Sequence, residues 1–185
     1  MPMLIALVPQ YTATLRIHSA VMTEQTIVLL PAREVDRTYI ARLNFLTDVY
    51  GDETSELSQN FINDTYFYID HWNPTDGGFI AWDNNRIPAG GAWLLWGTET
   101  NHGYGYVNEE IPEVAIAIES RFRGTGVASL LLKAAITLAK NLGAPGISLS
   151  VDKANAKAHQ VYSHLGFSEV SFDEASGFYV MQILF

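Results

Sequence analysis

One run, Pro112 to Phe167, restricts the possible folds of this chain more than any other. It begins with Val114, Ile116 and Ile118 alternating with Ala115 and Ala117, a period of two that puts β-branched residues on one face of a strand. Arg123-Gly124-Thr125-Gly126-Val127-Ala128 follows as a turn. Val127, Leu130, Leu131, Ala134, Leu138 and Leu142 then recur at helical spacing, with Ser129, Lys133, Thr137 and Lys140 on a more polar face. Gly143 ends that helix as a C′ glycine does, and Ile147 to Val151 reads as a second strand. Strand, turn, helix, strand in this order requires a layered α/β packing.

The turn suggests an anion site. Glycines allow close backbone approach, the first helical N–H groups lack internal partners, and the helix dipole adds partial positive charge there. A phosphate or pyrophosphate fits such a place, and Arg123 adds a permanent charge beside it. The same pattern also serves as a tight β–α connection with no ligand, so this motif alone leaves both readings open.

A second motif follows. Asn155, Ala158 and Tyr162 share one helical face, and Leu165-Gly166-Phe167 closes the helix into another strand. Arg-x-x-Gly-x-Ala over Arg123 to Ala128, followed by Asn-x-x-Ala-x-x-x-Tyr-x-x-Leu-Gly-Phe over Asn155 to Phe167, closely resembles the GNAT superfamily of N-acetyltransferases. The likeness runs continuously over about a third of the chain, from Pro112 to Phe167.

The resemblance implies a single-domain α/β (α+β) fold, 1–185, with a mixed, mostly antiparallel sheet of six to seven strands and helices on both faces. Residues 112–185 would form the acetyl-CoA half and 22–111 the acceptor half. Residues 1–21 read as an extension or an extra strand, with the domain itself starting near Met22. Two strands splay apart in this family, and acetyl-CoA lies in the gap as cosubstrate. Its pyrophosphate would rest on Arg123, Gly124, Thr125, Gly126, Val127, Ala128 and Ser129, and its pantetheine arm on Ile116, Ala117 and Ile118, with Asn155 and Tyr162 beside it. Tyr162 would protonate the leaving thiolate, a sensible task for a phenol of pKa about 10. From spacing alone, Tyr162 reads equally as a half-buried aromatic and Asn155 as a helix cap.

An amine must be neutral to attack a thioester, so a general base is expected. Relatives often use a glutamate near the start of this strand, and Glu113 stands within about one residue of that place. Glu113 and Glu119 bracket the strand on the face of Ala115 and Ala117. Relatives that acetylate ribosomal-protein N-termini carry a glutamate five residues before the motif asparagine. Here that position is Ser150, which weakens a protein N-terminal reading. The favoured acceptor is a small cationic primary amine. A protein N-terminus or lysine, and a CoA-binding sensor without chemistry, stay open.

Gly124-x-Gly126-x-x-Ser129 with Asp152 imitates a dinucleotide fingerprint. Its third glycine or alanine is a serine, and the 33 residues after Asp152 leave too little for further βα units, so an NAD-type oxidoreductase is disfavoured. No Gly-Lys dipeptide occurs, which excludes a Walker loop. The chain has no cysteine, so disulfides, thiolate metal sites and a cysteine nucleophile are absent, as fits a cytoplasmic protein. His159 and His164 are five apart, wrong for a metal pair on one helical face, and no metal is expected. With four lysines, seven arginines and a net charge of −9, nucleic acid and anionic membranes are unsuitable partners. No apolar run approaches a membrane span, and Met3 to Val8 lacks the flanking positive charge of a signal peptide. A homodimer is left open.

Elsewhere, Thr26 to Pro31 reads as a strand, Glu34 to Val49 and Glu56 to Trp72 as helices, and Phe79 to Trp82 with Ala89 to Trp96 as a hairpin. Ser168 to Phe172 and Phe178 to Phe185 read as closing strands. The long loop Gly97 to Pro112, with Gly103-Tyr104-Gly105-Tyr106, is a functional candidate. Five glutamates and no lysine or arginine lie between Glu99 and Glu119, so Glu109, Glu110 and Glu113 are expected to make the acceptor entrance negative.

Overall fold

In chain order the elements are β1 (Leu15–Ile17), β2 (Gln25–Pro31), α1 (Arg37–Asp48), α2 (Phe61–Thr65), β3 (Gly78–Trp82), β4 (Pro88–Leu95), β5 (Glu113–Ile118), α3 (Val127–Asn141), β6 (Gly146–Asp152), α4 (Ala156–His164), β7 (Ser168–Asp173) and β8 (Phe178–Leu184). The structure, a computed structural model, describes residues 15–17 and 25–185. Met22 and the rest of the 1–21 stretch lie outside the described residues.

The strands β2 to β8 form a continuous seven-stranded sheet in the order β2-β3-β4-β5-β6-β8-β7, and β1 pairs beside β2 at one edge. Every neighbouring pair is antiparallel except β5 and β6. The expected mixed, mostly antiparallel sheet with helices on both faces is thus the observed one.

Strand alternation divides the core in two. On one side Val114, Ile147, Leu149, Val151 and Met181 pack with Leu131, Leu132, Ala135 and Leu138 of α3, and Val161 and Tyr162 of α4 lean on the same cluster. On the other side Ile80, Trp93, Leu95 and Ala117 pack with Ile40, Leu43 and Leu46 of α1 and with Phe67, Tyr68, Ile69 and Trp72. The period of two in β5 therefore serves both cores, Ile116 and Ile118 facing α3 while Ala115 and Ala117 face α1.

The segment 56–72 departs from the single helix read in the sequence. Asp48 accepts from the Ser58 N–H at 2.9 Å and Asp52 from the Thr54 N–H at 3.1 Å, bonds that compete with helix formation before Phe61. After α2 the chain widens into a π turn over Tyr66–Asp70, where three successive residues, Phe67, Tyr68 and Ile69, are buried. In a regular helix three consecutive side chains spread over about 200°, wider than the apolar stripe of a helix packed on one side, and single π turns often mark functional sites. The indole N–H of Trp93 donates to the Tyr68 carbonyl at 2.9 Å, and Arg37 donates to the Ile69 carbonyl, so the turn is held from both sides. A shorter adjustment occurs at Glu34–Asp36, a 3-10 turn that precedes α1.

The apolar stripe of α3 also ends earlier than its spacing implies. Leu131 is fully buried, whereas Leu142 lies beyond the helix and is 45 % exposed. Leu131→Ala is therefore expected to cost about 2–5 kcal/mol in denaturant unfolding. Leu142→Ala should stay within about 0.5 kcal/mol of the parent.

Candidate active site

Parallel neighbours normally share a continuous ladder, but β5 and β6 share one pair, Glu113 with Ser148. The Ser148 N–H donates to the Pro112 carbonyl at 3.0 Å, and beyond that point the strands diverge. The edge of Ile116, Ala117 and Ile118 that faces β6 consequently has no ladder partner. Backbone donors and acceptors left open inside a sheet are places for a ligand's own polar groups.

At the wide end of the gap lies the glycine turn. Gly124 and Gly126 sit at φ 76° and 90°, the left-handed region that glycine enters without strain. Gly126 caps α3 without any side-chain bond, so the first-turn N–H groups of Val127, Ala128 and Ser129 stay available. The helix is 15 residues long, and Arg123 stands exposed beside its start. These features fit a pyrophosphate.

The turn after α1 crosses the same end of the gap. Gly51 lies against the Arg123 guanidinium, where a Cβ would fall 1.8 Å from Nη2, and its carbonyl accepts from Ser120 Oγ at 3.3 Å. The neighbouring Tyr50 donates its hydroxyl to Asp152 at the end of β6. This strap joins the ends of β5 and β6.

Asn155 caps α4, accepting from the Ala158 N–H at 3.2 Å. Tyr162 is half-buried against the α3-side core, and its hydroxyl makes no hydrogen bond among the described residues. Burial pushes the phenol up to about 12, so it stays protonated at any working pH.

The two glutamates that bracket β5 have opposite environments. Glu119 is held by Arg42, whose Nε and Nη2 each donate to it at 2.9 Å, and this bond keeps its carboxyl below the usual range. Glu113 is 4 % exposed, and no basic group among the described residues acts on it. Its Oε1 accepts from the Tyr68 hydroxyl at 2.7 Å, and its Oε2 accepts no well-formed hydrogen bond. Burial pushes this carboxyl up to about 7, a rise opposed by the Tyr68 bond and the nearby Gly105 amide and aided by Asp64. Two glycines allow the enclosure. A Cβ on Gly103 would fall 2.3 Å from the Tyr68 hydroxyl oxygen and 2.5 Å from Glu113 Oε2. One on Gly105 would meet the Leu149–Ser150 backbone of β6 at 2.6 Å and 2.8 Å.

Above this enclosure lies a cleft of about 580 Å³ between α2, the π turn, the Thr100–Tyr106 loop and the β7–β8 turn, lined in part by Asp64, Tyr66, Tyr68, Gly103, Tyr104 and Asp173. Tyr104 stacks on Phe178 at 5.0 Å, and its hydroxyl donates to Asp64 at 3.1 Å while its N–H donates to Tyr68 at 2.9 Å. Asp64 is raised by burial, with Asp48 adding to the rise, and neither acid is ion-paired among the described residues. The sequence reading named Glu113, Tyr162 and the 97–112 loop but missed Tyr68 and Asp64, whose only signal was the aromatic run Tyr66-Phe67-Tyr68. Glu110 is not in this cleft. It borders a separate hollow with Trp96, Leu142, Gly143, Ala144 and Pro145, and the negative groups at the cleft are aspartates.

His159 meets Glu169 at 2.7 Å, and no cluster of three or more His, Asp or Glu suited to a metal occurs among the described residues. Among these residues no helix is long and apolar enough to cross a membrane.

Comparison with known proteins bears on the same region. A family profile described as "Acetyltransferase (GNAT) family" matches residues 45–167. N-alpha-acetyltransferase 30 of Schizosaccharomyces pombe is 29% identical over 126 residues, covering 66% of this chain and 77% of its own. Among solved structures, a GCN5-related N-acetyltransferase from Kribbella flavida is similar with a TM-score of 0.64 and 19% identity, over 86% of this chain and 98% of that one. A spermidine/spermine N-acetyltransferase from Vibrio cholerae is similar with a TM-score of 0.56 and 21% identity, over 85% and 92%.

A carboxyl raised on folding stabilises the fold less as it ionises. Below its unfolded value of 4.5 Glu113 carries no penalty, and stability falls as pH rises through about 7. Glu113→Gln removes this dependence. Denaturant unfolding should show the variant gaining about 2 kcal/mol relative to the parent between pH 5.5 and 8.5.

Proposed function

The chain belongs to the GNAT acetyltransferase family, and from that premise we propose that it moves the acetyl group of acetyl-CoA directly to a small cationic primary amine. One observation carries the reading: a buried carboxyl with a pKa near neutrality stands at the closed end of a gap between two strands whose wide end opens onto an uncapped helix start.

Bound acetyl-CoA supplies a thioester carbonyl that a neutral amine attacks. Arg123, Gly124, Thr125, Gly126, Val127, Ala128 and Ser129 hold its pyrophosphate, through backbone N–H groups and one guanidinium. The open edge of Ile116, Ala117 and Ile118 pairs with the pantetheine arm and polarises the carbonyl. Asn155 fixes the start of α4, and α4 presents Tyr162 as proton donor to the leaving thiolate. Glu113 takes the proton of the acceptor amine, for which a pKa near 7 is well matched. A cytoplasmic location is consistent with the absence of cysteine.

The acids at the cleft support a cationic acceptor. Asp64 and, further off, Asp48 both raise the Tyr104 phenol, with burial as the larger cause. Aromatic faces and unpaired carboxylates together hold ammonium groups. A second reading, a protein N-terminus, is favoured by the name of the fission-yeast relative. An α-amine, with a pKa of about 8, is also easier to neutralise than an alkyl amine.

Thiol release from acetyl-CoA against 1,4-diaminobutane, spermidine and a set of tripeptides separates these readings. The diamines should be the better acceptors. Preference for the tripeptides selects the N-terminal reading, and acetyl-CoA binding without thiol release selects a sensor. Gly126→Glu puts a carboxylate at the pyrophosphate turn, so acetyl-CoA affinity should collapse in calorimetry while the fold is retained.

Asp64→Asn should raise the diamine KM several-fold and flatten its salt dependence, since a Debye length of about 8 Å screens such attraction at physiological ionic strength. Glu109→Gln with Glu110→Gln should leave both unchanged. An opposite ranking of these variants in steady-state assays would move the acceptor entrance to the Glu110 side.

A further inference from the structure

Glu113 is walled off from the cleft that an acceptor would enter. The cleft is lined by Tyr68 and Gly103, not by Glu113. Gly103 lies so close over Oε2 that even a Cβ on it would come within 2.5 Å of that atom. The hydrogen bond that links the carboxyl to the cleft wall is the 2.7 Å bond from Tyr68 to Oε1. A hydroxyl has one donor and two acceptor positions. Tyr68 spends its donor on Glu113 and one acceptor position on the Tyr104 N–H at 2.9 Å, which leaves one acceptor position.

We propose that Tyr68 relays the proton from the acceptor amine to Glu113. The acceptor ammonium N–H bond breaks as a new O–H bond forms at Tyr68. In the same step the former Tyr68 O–H bond breaks and its proton joins Glu113 Oε1. An ammonium and a carboxylate become a neutral amine and a carboxylic acid, and Tyr68 ends as it began, turned by one position. The relay rests on the acetyl-transfer reading above.

Three features fit this role. Tyr68 belongs to the π turn, whose carbonyls are gripped by Trp93 and Arg37, so its hydroxyl is fixed and not on a loop. Burial and the Glu113 charge hold the phenol well above its usual pKa, so it passes a proton on without keeping a negative charge. The titratable groups facing Glu113 are Tyr68 on the π turn and Asp64 on α2, with the Gly105 amide from the loop. No basic side chain among the described residues acts on the carboxyl in place of Tyr68.

The test compares the parent, Tyr68→Phe and Glu113→Gln across pH 6 to 9.5, with 1,4-diaminobutane, spermidine and the tripeptides as acceptors. Thermal unfolding and acetyl-CoA affinity are measured alongside. A tyrosine that only tunes Glu113 would, when removed, raise the pKa of the carboxyl, and the lost rate would return once the pH exceeds it. A relay does not return. The expected result is a kcat for Tyr68→Phe that stays down by on the order of 10²-fold or more on the high-pH plateau, with acetyl-CoA affinity unchanged. Recovery to the parent rate on that plateau overturns the relay. If Glu113→Gln keeps the parent rate, Glu113 is not the base and the relay falls with it. If the parent releases no thiol with any of these acceptors, the acetyl-transfer reading itself fails. Should Tyr68→Phe not fold, 3-fluorotyrosine at this position keeps the packing and makes the hydroxyl more acidic. The plateau rate then changes for a relay and holds for a tuning group.

Discussion

The interruption between β5 and β6 is the constraint on which the rest of the structure depends. A seven-stranded sheet with one ladder pair at its centre forgoes several backbone hydrogen bonds, and buried unpaired backbone groups are costly. The divergence persists because each strand is secured elsewhere. β5 pairs along its whole length with β4, and β6 along its whole length with β8. The α3 core holds Val114 on one side of the gap and Leu149 and Val151 on the other. On the opposite face the Tyr50–Gly51 strap ties the two open ends through Asp152 and Ser120. The gap is thus a rigid feature of two well-made half-sheets.

The electrostatics of β5 follow from the partners at its two ends, since both of its glutamates are buried. Glu119, at the open end, has an arginine within hydrogen-bond distance and is an ordinary structural ion pair that joins α1 to the strand. Glu113, at the closed end, shares its pocket with a tyrosine, two glycines and an aspartate, and nothing compensates its charge. Natural proteins tolerate such a group where it does chemistry, because a structural role would be served better by an apolar residue.

The proposed cofactor side was legible in the sequence and the proposed acceptor side was not, for a physical reason. Ile116 to Ile118, Gly124, Gly126 and Tyr162 lie on regular elements or at their ends, where periodicity and a glycine between a strand and a helix read directly. The Glu113–Tyr68 bond joins residues 45 apart, and the Tyr50–Asp152 bond residues 102 apart, so no local pattern announces either. The π turn is invisible to a search for helical spacing, because burying Phe67, Tyr68 and Ile69 together breaks that spacing. Charge counting misled in a similar way. The glutamates near residue 110 are close to Glu113 in sequence, yet Glu110 faces the far end of α3, whereas Asp64 and Asp173 reach the cleft from α2 and the end of β7.

This division has a consequence for how such a chain can change its acceptor. The proposed acetyl-CoA side is made of backbone groups and a helix start, and few side-chain substitutions can alter it without breaking the sheet. The proposed acceptor side is built by a π turn, a glycine-bearing loop and a β-turn that meet above Glu113, joined through Tyr104, which hydrogen-bonds to Tyr68 and Asp64 and stacks on Phe178. Substitutions in these segments can reshape the cleft while β5, β6 and α3 keep their places. Gly103 and Gly105 limit that freedom, since a side chain at either would strike Tyr68, Glu113 or the backbone of β6. The loop is therefore free to vary at its tips and held at the two points where it covers the carboxyl.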